Sequence, residues 1–356
     1  MKTLSRAAFT PEEIAAVAAA LPWAAFARRR IIVTGASGLI GAAIVEMLQW
    51  GSTGKGAALQ VVAAGRDPAA LQARFGEQVA SLRYDACAPV GEDMTADLVI
   101  HCASAASPEL FVAQPLEVIH ANVTGVANLL DHARRGKIKK LVYVSSSEVY
   151  GRGAPSSPAG FTETDYGLVD PMSVRSSYPE AKRAAENLCA AYASEYGVNV
   201  SIVRPGHVYG PTASVRDKRI SSAFAYQAAR GEPIVLKSAG AQVRSYVHAL
   251  DCAAAILTVA ARGEKAVAYN IAARAFARSI RQVAQLLADA GDVPLESQSP
   301  CEQERRAFNA MDDSRLDASR LEALGWRAVV TPEQGFRRTV ERLREKLLHE
   351  RKEGSS

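Results

Sequence analysis

The chain has 356 residues, of which 48% are hydrophobic and 22% are charged, proportions that are typical of a folded globular protein. They exclude a mainly disordered, collagen-like or coiled-coil chain, and the length predicts one large domain or two closely associated ones. The net charge of +5 is small and dispersed, whereas nucleic-acid-binding proteins concentrate their basic residues on one face, so we expect no nucleic-acid partner.

The five cysteines include no Cys-x-x-Cys pair, and the six histidines show no zinc-type spacing with them. We therefore predict no structural metal and expect a cytoplasmic location, where thiols stay reduced. No apolar run reaches the roughly 18 residues that a membrane span needs, so we expect no membrane association.

Residues 1–28 are interpreted as a helical extension that precedes the main fold. Thr10, Pro11, Glu12 and Glu13 form a helix start, with a cap, a proline in the first turn and acids at the positive end of the helix dipole. The early acids also interrupt the apolar run that a secretory signal requires.

From residue 29 onwards, short apolar strands alternate with helices. Strands are predicted at 31–33, 59–64, 79–84, 98–103, 140–145 and 198–203, and helices from the turn at 34–41 to Leu48, at 68–75, at 115–135 and at 179–196. This alternation is typical of βαβ units and predicts an α/β fold with a doubly wound parallel sheet, a Rossmann domain covering 29–205.

After Pro211 the alternation weakens. Helices are predicted at 221–230, 251–261 and 331–348, and strands at 234–236, 244–248 and 268–270. We interpret residues 206–350 as a smaller α/β substrate lobe that can interleave with the first, followed by a polar tail at 351–356. The two lobes are expected to share one cleft at the carboxyl ends of the strands, where open α/β sheets bind ligands.

Three glycines at intervals of three, Gly35, Gly38 and Gly41, lie between a predicted strand and a predicted helix. In that setting the first permits a tight turn, the second lets the backbone approach a pyrophosphate, and the third lets the helix pack closely. The helix N-terminus then offers N–H groups and partial positive charge to the phosphates. The pattern predicts a dinucleotide site.

The second strand ends in Gly65-Arg66-Asp67, where NAD sites usually carry an acid for the ribose. Arg66 suits either a 2′-phosphate or the adenine, and Asp67 is either a displaced ribose acid or the cap of the next helix. NAD is favoured, and NADP is not excluded.

Tyr178 and Lys182 are four residues apart on a predicted helix, so they share one face. An ammonium near a phenol favours the phenolate, which makes Tyr178 a candidate acid/base. The predicted strand ending at Val144 delivers the segment Ser145–Gly151 to the same sheet edge, where a hydroxyl can bind the substrate oxygen that is oxidised.

Taken together, these motifs resemble the extended short-chain dehydrogenase/reductase family, the NAD-dependent nucleotide-sugar epimerases and dehydratases. The matching segments are Thr34-Gly35-x-x-Gly38-x-x-Gly41, Ser145–Gly151, Tyr178-x-x-x-Lys182, Arg204–Pro211, Arg244–His248 with Asp251, Tyr269–Ile271 and Leu324-Gly325-Trp326. The resemblance runs from about Arg30 to Thr339.

The resemblance implies a role for each matching residue. Ser146 supplies the catalytic hydroxyl, Tyr178 deprotonates the sugar hydroxyl, and Lys182 holds the nicotinamide ribose and lowers the pKa of the tyrosine. Contacts to the cofactor are implied for Gly35, Ser37, Gly38, Leu39, Ile40, Gly41, Arg66, Asp85, Ala86, Ala103 and Asn122. Contacts to a nucleotide-diphosphate sugar are implied for Ser147, His207, Arg219 and Arg244, with Arg244 on the phosphate.

In this family tightly bound NAD oxidises the sugar, usually at C4, and neighbouring groups decide the product. Glu148 is either a base at C5, which indicates a 4,6-dehydratase or a uronate decarboxylase, or a loop residue that caps the segment before Tyr150. Decarboxylases carry an arginine for the substrate carboxylate where this chain has Met311-Asp312-Asp313, although Arg305 or Arg306 can substitute.

We therefore predict an NAD-dependent nucleotide-sugar epimerase, with 4,6-dehydratase and uronate decarboxylase as alternatives. A non-catalytic Rossmann cofactor sensor is the alternative from a different class. The resemblance also implies a homodimer formed through the helices that carry Asn122 and Tyr178.

Overall fold

The computed structural model describes residues 7–273, 276–302, 308 and 311–353. Arg305 and Arg306, considered above as partners for a substrate carboxylate, lie outside the described residues, as do residues 1–6 and 354–356. The helices are α1 (Pro11–Ala18), α2 (Leu39–Gly54), α3 (Pro68–Phe75), α4 (Pro108–Ala113), α5 (Pro115–Arg134), α6 (Ser177–Tyr196), α7 (Ile220–Arg230), α8 (Ala249–Arg262), α9 (Ile280–Gly291), α10 (Ser319–Ala323) and α11 (Pro332–Glu353).

The strands form three sheets. They are β1 (Arg30–Thr34), β2 (Gln60–Gly65), β3 (Ala80–Arg83), β4 (Leu98–His101), β5 (Leu141–Val144), β6 (Val200–Pro205), β7 (His207–Tyr209), β8 (Ile234–Leu236), β9 (Val243–His248), β10 (Ala268–Ile271), β11 (Ala277–Ser279), β12 (Leu295–Ser297) and β13 (Asp313–Ser314). Short 3-10 turns cover Trp23–Phe26, Ser147–Tyr150 and Val174–Ser176.

The main sheet has seven strands in the order β10-β6-β5-β4-β1-β2-β3, and all neighbours are parallel. The chain winds outward in opposite directions from β1, so a crevice opens at the carboxyl ends of β1 and β4. This confirms the predicted doubly wound Rossmann fold.

Both faces of the sheet are buried, as the apolar strands predict. On β1, Ile31 and Val33 pack on the side of α2 and α8, whereas Ile32 packs on the opposite side with Val126 and Leu129 of α5. The two helical layers therefore shield the central strands, whereas β3 at the edge is only partly covered, and the polar chemistry is left to the strand ends.

The second half of the chain builds a smaller α/β region around β9, which pairs with β7 and β13 in parallel and with β11 antiparallel. However, β10 joins the main sheet beside β6. A boundary at residue 205 thus marks where the second region begins but does not enclose every strand of the first; the division into two domains stays a prediction.

In the described part of the N-terminal extension, residues 7–28, α1 covers Pro11–Ala18 and a 3-10 turn covers Trp23–Phe26; the extension as a separate unit stays a prediction. Thr10 caps α1, and Glu13 completes a capping box with it. Pro22 lacks an amide hydrogen and disfavours helix in the residue before it, and a separate 3-10 turn follows from Trp23. Among the described residues, no helix is long and apolar enough to cross a membrane.

Candidate active site

A cleft of about 1110 Å³ lies at the carboxyl ends of the main strands, between the Rossmann region and the smaller region. Ser146, Tyr178 and Lys182 line it from the Rossmann side. Residues of the smaller region complete it: His207, Lys218, Arg219, Arg230, Lys237, Gln242, Arg244 and Tyr246. In the part of the chain that the structure describes, no cluster of His, Cys, Asp and Glu side chains is arranged to hold a metal ion.

The turn after β1 requires glycine at two of its three predicted positions. Gly35 has φ +65°, and a Cβ there would lie 2.7 Å from the backbone nitrogen of Ala103. A Cβ at Gly41 would lie 2.3 Å from the carbonyl oxygen of Gly35. Both contacts are shorter than packed atoms permit, so the turn closes only because these side chains are absent.

The third glycine leaves the start of α2 open. Gly38 is the N-cap of α2 and has no side chain that could accept hydrogen bonds from the first turn. The N–H groups of Leu39, Ile40 and Gly41 therefore form the positive end of this 16-residue helix without a side-chain cap. Arg74 donates a hydrogen bond of 3.1 Å to the carbonyl of Ser37 and braces the turn. This bare helix start fits the pyrophosphate of a dinucleotide.

The other predicted cofactor contacts follow neighbouring strands of the same sheet edge. Arg66 is exposed after β2, and Asp85 and Ala86 follow β3. Ala103 follows β4, and buried Asn122 on α5 accepts a 2.9 Å hydrogen bond from Ser104 of that same segment. The arrangement suits an extended dinucleotide lying across the carboxyl ends of β1 to β4.

The sequence analysis gave two roles for Asp67, a ribose acid or the cap of the next helix. Its Oδ1 accepts a 3.0 Å hydrogen bond from the amide of Ala70, which makes it the N-cap of α3. The alternative of a helix cap therefore describes its observed contacts.

Tyr178 and Lys182 are both buried on the first turns of α6. The phenol ring stacks on Phe111 with a centroid separation of 4.3 Å and an interplanar angle of 7°. The ammonium of Lys182 donates to the carbonyl of Val144 at 2.8 Å and lies 5.7 Å from the Tyr178 ring centroid. Ser146 lies close enough to hydrogen-bond with the Tyr178 phenol.

Burial dominates the pKa of the Tyr178 phenol. It raises the pKa of Tyr178 to about 12, and the carboxylate of Glu148 adds to the rise, whereas Ser146 and the charges of Arg219 and Arg175 oppose it. Burial also lowers the pKa of Lys182 to about 7. Desolvation thus outweighs the charges that act on the phenol, and the lowering of the tyrosine pKa by Lys182 stays a prediction.

Glu148 is not a free carboxylate. Its two oxygens accept hydrogen bonds of 3.0 Å from the two terminal nitrogens of Arg175, and both side chains are less than a fifth exposed. Bidentate pairs of this kind fix the orientation of the carboxylate. Both oxygens of Glu148 are therefore engaged by Arg175.

Arg219 and Arg244 occupy different parts of the cleft. Arg219 pairs with Asp217, with Nε 2.9 Å from Oδ1. Its positive charge also acts to lower the pKa of the Tyr178 phenol. Arg244 is buried on β9 and donates to the carbonyls of Met311 and Asp312 at 2.6 and 3.3 Å. These bonds orient its guanidinium at the cleft wall.

His207 and Ser147 also line the cleft. Burial and the neighbouring Arg244 and Arg219 lower the pKa of His207 to about 3, so the imidazole is neutral. Its Nδ1 is buried and meets no hydrogen-bond partner among the described residues. It is thus suited to a neutral hydrogen bond with a ligand.

The sequence analysis did not identify Arg175 or Phe111. Arg175 contacts Glu148, and Phe111 stacks on Tyr178. The only local signal for Arg175 is its position three residues before Tyr178, a weak one because residues 174–176 form a 3-10 turn. Phe111 lies on a short helix, α4, that was not predicted.

The chain matches one protein-family description and many known proteins. The Epimerase family, described as the NAD dependent epimerase/dehydratase family, matches residues 31–272. UDP-glucuronic acid decarboxylase 2 of Arabidopsis thaliana is 30% identical over 334 residues, which is 92% of this chain and 71% of that protein. UDP-glucuronic acid decarboxylase 1 of Xenopus tropicalis is 27% identical over 328 residues, 91% of this chain and 74% of that protein.

Solved structures show the same fold. UDP-glucose 4-epimerase of Thermus thermophilus, in complex with NAD, aligns with a TM-score of 0.75 at 26% identity over 88% of this chain and 99% of that one. UDP-glucose 4-epimerase of Thermotoga maritima, with UDP-glucose, has the same TM-score at 24% identity over 89% of this chain and 99% of that one.

Proposed function

Because the chain belongs to the NAD dependent epimerase/dehydratase family, we propose that it binds a nucleotide-diphosphate sugar in the cleft and oxidises one sugar hydroxyl, at C4, to a ketone. The observation that carries this proposal is the approach of Ser146, Tyr178 and Lys182 to one another beside the glycine turn. Bound NAD supplies the hydride acceptor.

Tyr178 is the group that takes the hydroxyl proton in this proposal. Without a ligand, the Ser146 hydroxyl lowers the pKa of the phenol. With the sugar bound, that same hydroxyl donates its single hydrogen to the developing oxyanion instead. Lys182 keeps its ammonium under the ring through the carbonyl of Val144, and with a pKa near 7 it can exchange a proton in the working range. Phe111 covers one face of the phenol and limits the access of water.

The smaller region offers positive charge for the diphosphate. Arg244 is held by backbone carbonyls rather than by a carboxylate, so its charge is not cancelled by those bonds. Arg230 and Lys237 line the same wall of the cleft. Arginine recognises phosphate through paired N–H donors, and this supports a nucleotide-diphosphate sugar as the ligand class.

We propose that return of the hydride to the opposite sugar face completes the reaction, which makes the enzyme an epimerase. Elimination of water needs an additional free base near C5, and Glu148 is held in a bidentate ion pair instead. Asp217, the carboxylate paired with Arg219, is likewise occupied. Epimerisation needs no group beyond those already described.

Decarboxylation of a nucleotide uronic acid is the second candidate. The relatives named above support it, since both are UDP-glucuronic acid decarboxylases. A ketone at C4 turns a C5 carboxylate into a β-keto acid, which loses carbon dioxide without an added base. The charges of Arg175 and Arg219 near the phenol are compatible with an anionic sugar.

Product mass distinguishes these reactions. The purified protein is incubated with NAD and a panel of neutral and uronic nucleotide sugars. Unchanged mass with inverted configuration by NMR supports the epimerase, loss of carbon dioxide supports the decarboxylase, and loss of water supports a dehydratase. If no sugar reacts while NAD binds, the protein is a cofactor sensor and the proposal is wrong.

Tyr178→Phe tests the assignment of the base. We expect at least a 100-fold loss of kcat, because general acid–base groups typically contribute on the order of 10² to 10⁴. NAD affinity, measured by fluorescence quenching, serves as the control and should change little. Undiminished turnover in the variant would remove Tyr178 from its proposed role.

A further inference from the structure

Arg175 joins two segments that both carry reacting groups. It lies in the 3-10 turn Val174–Ser176, directly before the helix that presents Tyr178. Its two terminal nitrogens each donate a 3.0 Å hydrogen bond to Glu148, which lies two residues after Ser146. The Oγ of Ser146 in turn accepts a 3.2 Å hydrogen bond from the amide of Glu148.

An aromatic ring also packs against Arg175. Its guanidinium carbon lies 4.7 Å from the ring centroid of Phe111, the ring that stacks on Tyr178. Ser177 donates a 2.9 Å hydrogen bond to the carbonyl of Phe111, which ties α4 to the start of α6. Arg175 is therefore clamped by a carboxylate and by an aromatic ring.

We propose that Arg175 is a positioning residue, which locks the Ser146–Glu148 segment to the start of α6 and thereby holds the Ser146 hydroxyl against the Tyr178 phenol. This inference rests on the proposed function, because it assigns meaning to the approach of Ser146 to Tyr178. Arg175 does so through Glu148, to which each of its terminal nitrogens donates one hydrogen bond.

The pair also balances the charge at the phenol. Glu148 opposes formation of the phenolate, whereas Arg175 and Arg219 favour it, and the ammonium of Lys182 lies 5.7 Å from the ring. Removal of Arg175 takes away one of the two arginine charges that oppose Glu148, and so favours the neutral phenol. Removal of the Glu148 charge has the opposite effect. The two single substitutions therefore shift the pH dependence in opposite directions.

The test compares Arg175→Met, Arg175→Lys, Glu148→Gln and the double variant Arg175→Met/Glu148→Gln. The first readout is the pH profile of kcat and KM with the nucleotide sugar that the panel identifies. The second is independent of turnover: a fluorotyrosine is placed at position 178, and its ionisation is followed by ¹⁹F NMR in the NAD-loaded protein.

We expect Arg175→Met to raise the pKa of the phenol by about one unit, as loss of a nearby opposite charge does. The acid limb of kcat then moves to higher pH, and kcat near neutrality falls about tenfold, while KM changes less than about twofold. Glu148→Gln should move the acid limb to lower pH. In the double variant the acid limb should return towards its wild-type pH. In Arg175→Lys the acid limb should move less than in Arg175→Met, because the positive charge is kept.

Arg183→Met is the matched control. Arg183 holds the same segment through the carbonyl of Val149, at 2.7 Å, and so restrains the loop without neutralising Glu148. We expect it to lower stability without moving the acid limb. If Arg175→Met lowers kcat equally at every pH and leaves the ¹⁹F titration unchanged, Arg175 is only a structural residue and the inference is wrong.

Failure of the proposed function gives a different result. In that case the wild-type protein turns over no nucleotide sugar, yet the ¹⁹F titration still reports whether Arg175 and Glu148 shift the phenol in opposite directions. Opposite shifts support the positioning role even then. Equal shifts, or none, overturn it whatever the substrate.

Discussion

Glu46 shows how a single buried carboxyl couples the N-terminal extension to pH. It lies on α2 with 6% of its surface exposed and accepts hydrogen bonds from the amides of Ala8 and Phe9 at 2.9 and 3.3 Å. Burial raises its pKa from 4.5 to about 7, although Arg74 and the two amides oppose the shift. The folded chain therefore binds this proton more tightly than the unfolded chain.

This shift predicts a stability change of definite sign. A raised folded-state pKa stabilises the fold below about pH 4.5, and that contribution is lost as pH rises towards 7. The loss is on the order of 3 kcal/mol at most. The free energy of unfolding, measured with urea between pH 4.5 and 7.5, should therefore fall less with rising pH in Glu46→Gln than in the wild type. Exposed Glu341→Gln is the control. An equal pH dependence of the unfolding free energy in all three proteins would contradict the assignment.

At the level of elements, the extension also docks on α2 through a close contact between Trp23 and Gly51. A Cβ added at Gly51 would lie 1.9 Å from the ring of Trp23, so the tryptophan occupies the space of a missing side chain. Trp23 also packs near Trp50 at 5.9 Å between ring centroids. The 3-10 turn is thereby fixed to the helix that begins at the phosphate turn.

Gly51→Ala should destabilise the protein by about 1–3 kcal/mol, because the methyl group overpacks the site. In a Trp23→Ala background the same substitution should be neutral or stabilising by up to about 1 kcal/mol, since alanine favours helix. Gly54→Ala on the same helix is the control, with 3.5 Å to its nearest neighbour. Additive effects in the double variant, measured by chemical denaturation, would show that Trp23 does not fill this site.

At the level of the whole molecule, Asn270 on β10 joins segments from distant parts of the chain. Its side-chain oxygen accepts a 2.5 Å hydrogen bond from Tyr150, and its amide donates to the carbonyls of Phe161 and Asp317 at 2.8 and 3.0 Å. Arg204 extends the network, since it donates to the Tyr150 hydroxyl at 3.0 Å. The loop after the serine segment is thus tied to both regions.

Asn270→Ala should cost about 2–4 kcal/mol, because the Tyr150 hydroxyl and the carbonyls of Phe161 and Asp317 each lose a hydrogen bond together. Exposed Asn187→Ala is the control and should lie within about 0.5 kcal/mol of the wild type. Thermal unfolding followed by circular dichroism and by tryptophan fluorescence measures both. A change in Asn270→Ala no larger than in Asn187→Ala would mean that the network contributes little.

The homodimer stays a prediction. The helices that carry Asn122 and Tyr178, α5 and α6, bury apolar residues in one core within the chain, among them Leu129, Ala185 and Cys189. Leu116 and Ile119 at the start of α5 remain exposed, by 68% and 38%. The intrachain packing therefore leaves a different face of α5 exposed, and a dimer interface on this helix would have to use that face.

Local sequence patterns predicted the Rossmann sheet, the glycine turn and the Tyr178–Lys182 pair, and the family match confirms the predicted NAD dependence. These features are local: a strand period, a turn and an i,i+4 spacing are set by residues close together in the chain. Gly35 and Gly41 could be predicted because steric limits on a tight turn act over a few residues.

The electrostatics of the site depend on contacts between distant segments and could not be predicted from local patterns. Arg175 reaches Glu148 across 27 residues of sequence, and β10 reaches the main sheet from the second half of the chain. The pKa of Tyr178 follows from desolvation by α4 and from the balance between Glu148 and two arginines, which depends on folding and not on spacing. The burial of a group and its distance to other charges depend on segments that are distant in sequence. A local sequence pattern therefore cannot predict them.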